Sequence, residues 1–353
     1  MKPNNKAKAR HACLPFMPTI IEHAAFLIGQ TPSAAARDAA IMAKAHIEAF
    51  RMYCPDSVTV GMDIYNIEAE ALGCQIRFYD DESIPGVLTH PLSLDDDFSI
   101  AFSPTMGRIQ LILDAAAEVK AVLGPDIKVN IGICGPFSVF IELVGFESAI
   151  CAIVEEIFLP GAKTVHKNAQ KPAFLLTDEE DERVAPLLMK ILEFQKNYCN
   201  AIVAQGLGVT VFESWASPPL ITPEIYRDFA FPYEKALMAH MQSIGLGIRP
   251  LVIGGDTRPI LDQLIETGTT LLVSDYNTPL PLYIEKAKEK GLTLRANIDP
   301  KLVRRGAFKE IEARVGEIYA QQAVYPRLII GTGVVPYDTP PENLMRVRDI
   351  VNN

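Results

Sequence analysis

Short apolar runs in this chain end, one after another, in side chains able to do chemistry. SVTVGM (57–62) runs into Asp63, and IKVNIGI (127–133) runs into Cys134. GVTVFES (208–214) closes on Glu213 and Ser214, and IRPLVIG (248–254) empties into Gly254, Gly255 and Asp256. TLLVSD (270–275) ends at Asp275, LTLRANI (292–298) carries Asn297 and leads to Asp299, and RLIIGTG (327–333) holds Thr332. Carboxylates gathered round one opening repel each other unless they bind a cation, a proton or a hydrogen-bonding substrate. Some have a local use instead. Asp256 precedes Thr257-Arg258-Pro259 and Asp299 precedes Pro300, so capping of the next helix competes with catalysis at the first and outweighs it at the second. Cys134 reads as a small buried apolar residue. Tyr65 and Asn66 follow Asp63 directly and are placed to line the same opening.

The runs that carry these residues read as strands covered on both faces, because they lack polar alternation. With LPFMP (14–18) there are eight of them. Helical patterns fill the gaps. TPSAAARDAAIMAKAHIEAFRMY opens on a Thr cap, and TPEIYRDFAFPYEKALMAHMQSIG opens on Thr-Pro. TRPILDQLIETG and TPLPLYIEKAKEKG stop at glycine. Eight βα units predict a single α/β domain, a (β/α)8 TIM-like barrel spanning 1–353, with 1–12 as a flexible tail. In such a barrel the chemistry collects at the carboxyl ends of the strands. The irregular stretch 80–100 (DDESIPGVLTHPLSLDDDFSI) reads as a loop or excursion at that mouth.

Composition narrows the function. With 49% apolar residues in 353, a large core is expected. A net charge of −10 argues against nucleic acid as a partner. Six cysteines occur without a CxxC pair, so a reducing, cytoplasmic setting is expected. MKPNNKAKARHA has no apolar segment behind it, so no secretion signal is read, and no membrane span is expected.

Five segments, in order, resemble the uroporphyrinogen decarboxylase superfamily: MDIYNIEAEALGC (62–74), GPFSVFIELVGFE (135–147), VFESWASPPLITPEIYRDFAFPY (211–233), GGDTRPILDQLIETG (254–268) and GTGVVPYDTPPENL (331–344). The resemblance implies a TIM-like barrel and one of two activities. One branch decarboxylates uroporphyrinogen. The other moves methyl groups to or from a corrinoid, and EAEALGC and GGDTRPIL look like that branch. The decarboxylases grip substrate carboxylates with arginines in a segment that here reads FMPTIIEHA (16–24), with none. A family tyrosine is replaced by Glu142 and a family histidine by Thr332, and only Asp63 matches the pyrrole-binding aspartate. A polyanionic porphyrinogen needs cationic partners, so this chain is a poor host.

The resemblance to the methyltransferases implies zinc on a His-x-Cys pair and a later Cys, where it lowers a thiol's pKa. Val252, Gly254 and Val334 stand at those positions. Other members take methyl groups from methoxylated aromatics, and an ether oxygen needs an acid near it to leave. Asp63, Glu68, His90 and Glu213 are the side chains for that role. Asp63, Glu68 and His90 are also the ligands to consider for a replacement zinc site, although His90 in its Pro-flanked loop equally reads as a solvated residue. The resulting expectation is a methyltransferase component working with cobalamin on a corrinoid-binding partner protein, since no DxHxxG motif is present. Its catalytic residues would be Asp63, Glu213 and Asp256. Tyr65, Asn66, Glu142, Ser214, Asp275, Asn297 and Thr332 would bind a small methyl donor or acceptor. A decarboxylase using Asp63 and a non-catalytic binding barrel are the alternatives, and a homodimer follows from the resemblance alone.

Overall fold

The computed structural model describes residues 14–94, 100–158 and 183–352. The expected tail at 1–12 lies outside them. Ten strands form. Eight are parallel: β1 (Phe16–Thr19), β2 (Ser57–Val60), β5 (Lys128–Cys134), β6 (Gly208–Phe212), β7 (Leu251–Val252), β8 (Leu271–Ser274), β9 (Thr293–Ile298) and β10 (Leu328–Val334). They coincide with the eight apolar runs. Two short strands, β3 (Ile76–Arg77) and β4 (Gly86–Val87), pair antiparallel and bring order into the irregular stretch after β2.

The parallel strands form two four-stranded sheets, β1-β10-β9-β8 and β2-β5-β6-β7. They meet along two seams, which makes the fold a TIM barrel. At one seam Pro250 bridges to Leu271, and the Leu251 amide donates to Thr269 Oγ1 at 3.1 Å. At the other, the Asp56 amide donates to the Phe16 carbonyl at 3.1 Å, and the Phe16 amide donates to Asp56 Oδ2 at 2.8 Å. A side chain there stands in for a missing rung of the ladder.

Local chemistry sets the helix ends. Thr31 caps the Ala34 amide, but Asp38 then caps Ile41, so the first helical pattern forms two helices, Pro32–Ala36 and Ala39–Tyr53. A second competent cap outcompetes continuation through it. Thr222 caps Ile225, and a wider π-turn at Tyr226–Ala230 precedes the helix Phe231–Ser243. Pro232 has no N–H to continue the α ladder, which accounts for that turn. Asp299 caps the Lys301 amide at 2.8 Å, as its neighbour Pro300 suggested. Among the described residues, no single helix is long and apolar enough to cross a membrane.

The main core lies between strands and helices. A second, small cluster of Ile21, Ile64 and Phe212, with Tyr65 and Val252 against it, plugs the barrel near its carboxyl end. Gly132 on β5 makes room for it, because a Cβ there would meet Ile64 Cδ1 at 2.5 Å. Gly132→Ala is therefore expected to destabilise the chain by about 1–3 kcal/mol through overpacking. Gly316 in the helix Phe308–Ala320 is exposed and has nothing within 4 Å of its Cβ position. Gly316→Ala is expected to stabilise by about 0.5–1 kcal/mol. Urea denaturation of both variants tests the pair, and equal effects would remove the packing argument.

Candidate functional site

Asp63 follows β2 and is buried, and both of its oxygens are taken. Arg108 donates Nη1 to Oδ1 at 2.8 Å and Nη2 to Oδ2 at 2.7 Å. Asn66 Nδ2 adds a bond to Oδ2 at 3.2 Å and another to the Pro85 carbonyl at 2.5 Å. Arg108 also donates to Glu70 at 2.5 Å and to the Ala36 carbonyl at 3.1 Å, and it stacks on Phe78. Burial pushes the Asp63 carboxyl up, and Arg108 pulls against that shift. Burial also works against the guanidinium charge, but Asp63 and Glu70 carry it above its ordinary value. This is a charge-assisted, bidentate lock.

Glu213 follows β6 and is fully buried at the start of the helix Pro136–Val144. It accepts from the Ser138 amide at 2.7 Å, from the Ser138 hydroxyl, and from the Phe137 amide at 3.3 Å. It packs onto Gly135, where a Cβ would fall 1.8 Å from Oε2. Burial raises its pKa to about 7, against those hydrogen bonds. Glu234 is buried within reach of its charge. Burial and the charge of Glu213 push it well above the carboxylate range, and its Oε2 accepts from the Tyr226 hydroxyl at 2.5 Å. Glu68 accepts from the Cys134 amide at 2.8 Å, its Oε2 has no partner, and burial lifts it to about 8.

Tyr65 lies between these groups. Its ring meets Phe212 edge-on at 6.3 Å, and burial raises its hydroxyl to about 12, with Ser214 acting against that shift. The charges of Cys134, Glu22 and Glu213 all reach it. Glu22 sits just beyond β1, only 8% exposed, with Oε2 unpartnered and burial raising its pKa to about 7. The arrangement is a ring of buried carboxyl groups beside the aromatic pair of Tyr65 and Phe212, each with its proton affinity raised by burial.

The remaining expected residues lie around this ring. Glu142 is half-buried, accepts from Trp215 Nε1 at 2.8 Å, and is raised by burial. His90 is exposed, with Nδ1 2.7 Å from the Glu142 carbonyl. Asp275 accepts from the Gly255 amide at 3.0 Å and the Tyr276 amide at 2.9 Å. Asp256 lies half-exposed in an ion pair with Arg258. Asn297 is buried with Oδ1 unpartnered, and Thr332 accepts from the Thr19 amide at 3.2 Å. Asp63, Glu68 and His90 do not converge: Asp63 is spent on Arg108, Glu68 on the Cys134 amide, and His90 on the surface. Among the described residues no three His, Cys, Asp or Glu side chains are grouped to hold a metal ion. Val252 packs in the apolar plug, Gly254 is exposed and Val334 is 37% exposed, so the three positions of the zinc pattern offer no donor side chain.

Four residues of the barrel interior and its mouth went unread in the sequence: Glu22, Arg108, Glu234 and Arg295. Two had a signal. Arg295 is a charge inside an apolar strand, and Glu22 sits in the segment inspected only for arginine.

Residues 6–353 match the family described as Uroporphyrinogen decarboxylase (URO-D). The chain is 25% identical to the methylcobamide:CoM methyltransferase MtbA of Methanosarcina acetivorans over 302 residues, 84% of this chain and 80% of that protein. It is 24% identical to the uroporphyrinogen decarboxylase of Chlorobium phaeovibrioides over 322 residues, 88% and 83% of the two chains. A solved methyltransferase from Methanosarcina mazei superposes with a TM-score of 0.76 at 21% identity, covering 96% of this chain and 94% of that one.

Two measurements test the electrostatics of the site. Removing one partner of a buried bidentate pair strands the other, so Arg108→Met should cost about 3–5 kcal/mol. Asp63→Leu/Arg108→Met should recover most of that, and a double variant as unstable as the single one would sink the account. The second test is pH. Glu22, Glu68 and Glu213 keep protons in the folded chain to about pH 7, 8 and 7, while the unfolded chain releases them near 4.5. The native state binds more protons in that window, so these groups lower stability as pH rises. His23 and His46 oppose this below 6.5, because burial lowers both, His46 to about 4. Stability should therefore fall from about pH 5 to pH 8, most steeply above 6.5. Glu68→Gln should flatten that fall, and a stability that rises across pH 6.5–8 would contradict it.

Proposed function

Because the chain belongs to the uroporphyrinogen decarboxylase (URO-D) family, with enzymes of two chemistries among its relatives, we propose that it is the methyltransferase component of a corrinoid-dependent system, demethylating a small methoxylated substrate. The observation that carries the reading is Glu22, a buried carboxyl just beyond β1 whose Oε2 has no partner, whose pKa burial raises to about 7, and whose charge reaches Tyr65. An alkoxide or phenoxide is a poor leaving group, and a carboxylic acid matched to neutral pH is a suitable proton donor to it. A corrinoid on a partner protein would supply the cobalt nucleophile for the methyl group. Glu22 holds the proton for the leaving oxygen. Tyr65 and Phe212 wall an aromatic body, and Ser214 orients the phenol of Tyr65. Glu213 is a positioning residue in this scheme, because its oxygens are spent on the helix Pro136–Val144.

The decarboxylase reading draws less support. Both oxygens of Asp63 are on Arg108, which leaves little to offer a pyrrole N–H. Arg108 is itself engaged by two carboxylates and is not free for a substrate's. Asp256 and Asp275 remain candidates for contact with the substrate or the partner protein at the rim.

The test is release of catechol (1,2-dihydroxybenzene) from 2-methoxyphenol by the purified chain, with and without reduced cobalamin. We expect corrinoid-dependent release and a kcat about 10²–10⁴-fold lower in Glu22→Gln, with KM little changed. Release indifferent to Glu22→Gln would end its role as the acid. Decarboxylation of a porphyrinogen without corrinoid would favour the other branch.

A further inference from the structure

The barrel is open at its other end too. A cavity of about 780 Å³ runs inside it from the amino ends of the strands up to Ile21, Phe212 and Val252. TIM-barrel interiors are ordinarily filled by layers of bulky branched side chains. Here Ser57, Thr59, Asn130 and Thr210 face that space, and small polar side chains do not fill it.

Arg295 projects into this cavity from β9 and is only 8% exposed. One nitrogen, Nη2, donates to the Thr332 carbonyl at 2.6 Å and to Thr19 Oγ1. Its Nε has no partner. No carboxylate lies within ion-pair distance of it among the described residues, whereas the other buried arginine, Arg108, has two. Burial lowers its pKa to about 10, and the nearest compensating charge is Asp275, acting at longer range. The backbone is shaped for it: a Cβ at Gly331 would fall 2.1 Å from Nε, so this glycine admits the side chain. An isolated buried cation costs several kcal/mol, which a bound anion offsets.

The entrance has the matching sign. Lys128, Arg249, Lys290 and Arg327 line the cavity at the strands' amino ends, against Asp56 and Asp126. This local excess of cations stands on a chain of net charge −10. Such a mouth focuses anions toward the interior. Met17, Leu271 and Ile329 add apolar wall. The volume is that of a small-molecule site.

We propose that this cavity binds a small organic anion, its carboxylate or phosphate on Arg295 and its body in the barrel, entering by the basic amino-end rim. The site is separate from the carboxyl-end ring of Glu22, Glu213 and Tyr65 and does not depend on the methyl-transfer reading.

Isothermal titration of the full chain with benzoate and, separately, with inorganic phosphate tests it, and the two probes distinguish carboxylate from phosphate. Saturable binding of at least one probe at one per chain is expected, weakened at least tenfold in Arg295→Gln. Arg295→Gln alters the core, so Lys128→Gln on the exposed rim is the second variant. It should keep the fold, weaken binding a few-fold and reduce its salt dependence. No saturable binding of either probe, or equal binding by the wild type and both variants, would overturn the proposal. So would binding lost in Glu22→Gln and kept in Lys128→Gln, which would put the anion at the carboxyl mouth.

Discussion

The Arg108–Asp63 pair holds the carboxyl end of this barrel together. One guanidinium joins the end of β2, the carbonyl end of the helix Pro32–Ala36, Glu70 beside the mouth and the ring of Phe78 on the hairpin side. These segments come from four places in the chain, and nothing else described here connects all of them. The pair is buried, so neither partner can be lost alone without leaving a charge in an apolar setting. It also decides what Asp63 can do. A carboxylate with both oxygens in a bidentate bond is a structural anchor before it is a reagent.

Once Asp63 is accounted for, the chemistry at the mouth belongs to carboxyl groups without cations. Glu22, Glu68, Glu213 and Glu234 are buried close enough to feel each other or shared neighbours, and burial raises the proton affinity of each. Glu213 is held by the helix start it caps, which is what a helix N-terminus offers a carboxylate. Glu22 has no such use. The contrast with the amino-end cavity is one of sign: buried acids gather at the carboxyl mouth, and a guanidinium with no carboxylate at ion-pair distance among the described residues lines the cavity.

The barrel was legible because its information is local. Each strand is a short apolar run, and many helices have a cap or a terminating glycine that acts over three or four residues. The misread helix, Pro32–Ala36 followed by Ala39–Tyr53, shows the limit of the same signal: Thr31 and Asp38 are both good caps, and a periodic pattern alone does not say that both are used. The strand ends were legible too, so Asp63, Glu213 and Tyr65 were placed at the mouth from sequence. Their states were not. Whether a carboxylate is spent on an arginine 45 positions away, as Asp63 is on Arg108, is invisible to spacing.

The sequence by itself therefore determined the architecture, the family resemblance and the absence of the thiol-zinc pattern, because these rest on residue types at short separations. Tertiary structure decided which acids are free. Proton affinity depends on burial and on partners brought from distant segments. Only folding could reveal that Asp63 is neutralised, that Glu22 is orphaned beside Tyr65, and that Arg295, one letter in an apolar strand, is a buried cation facing an open cavity.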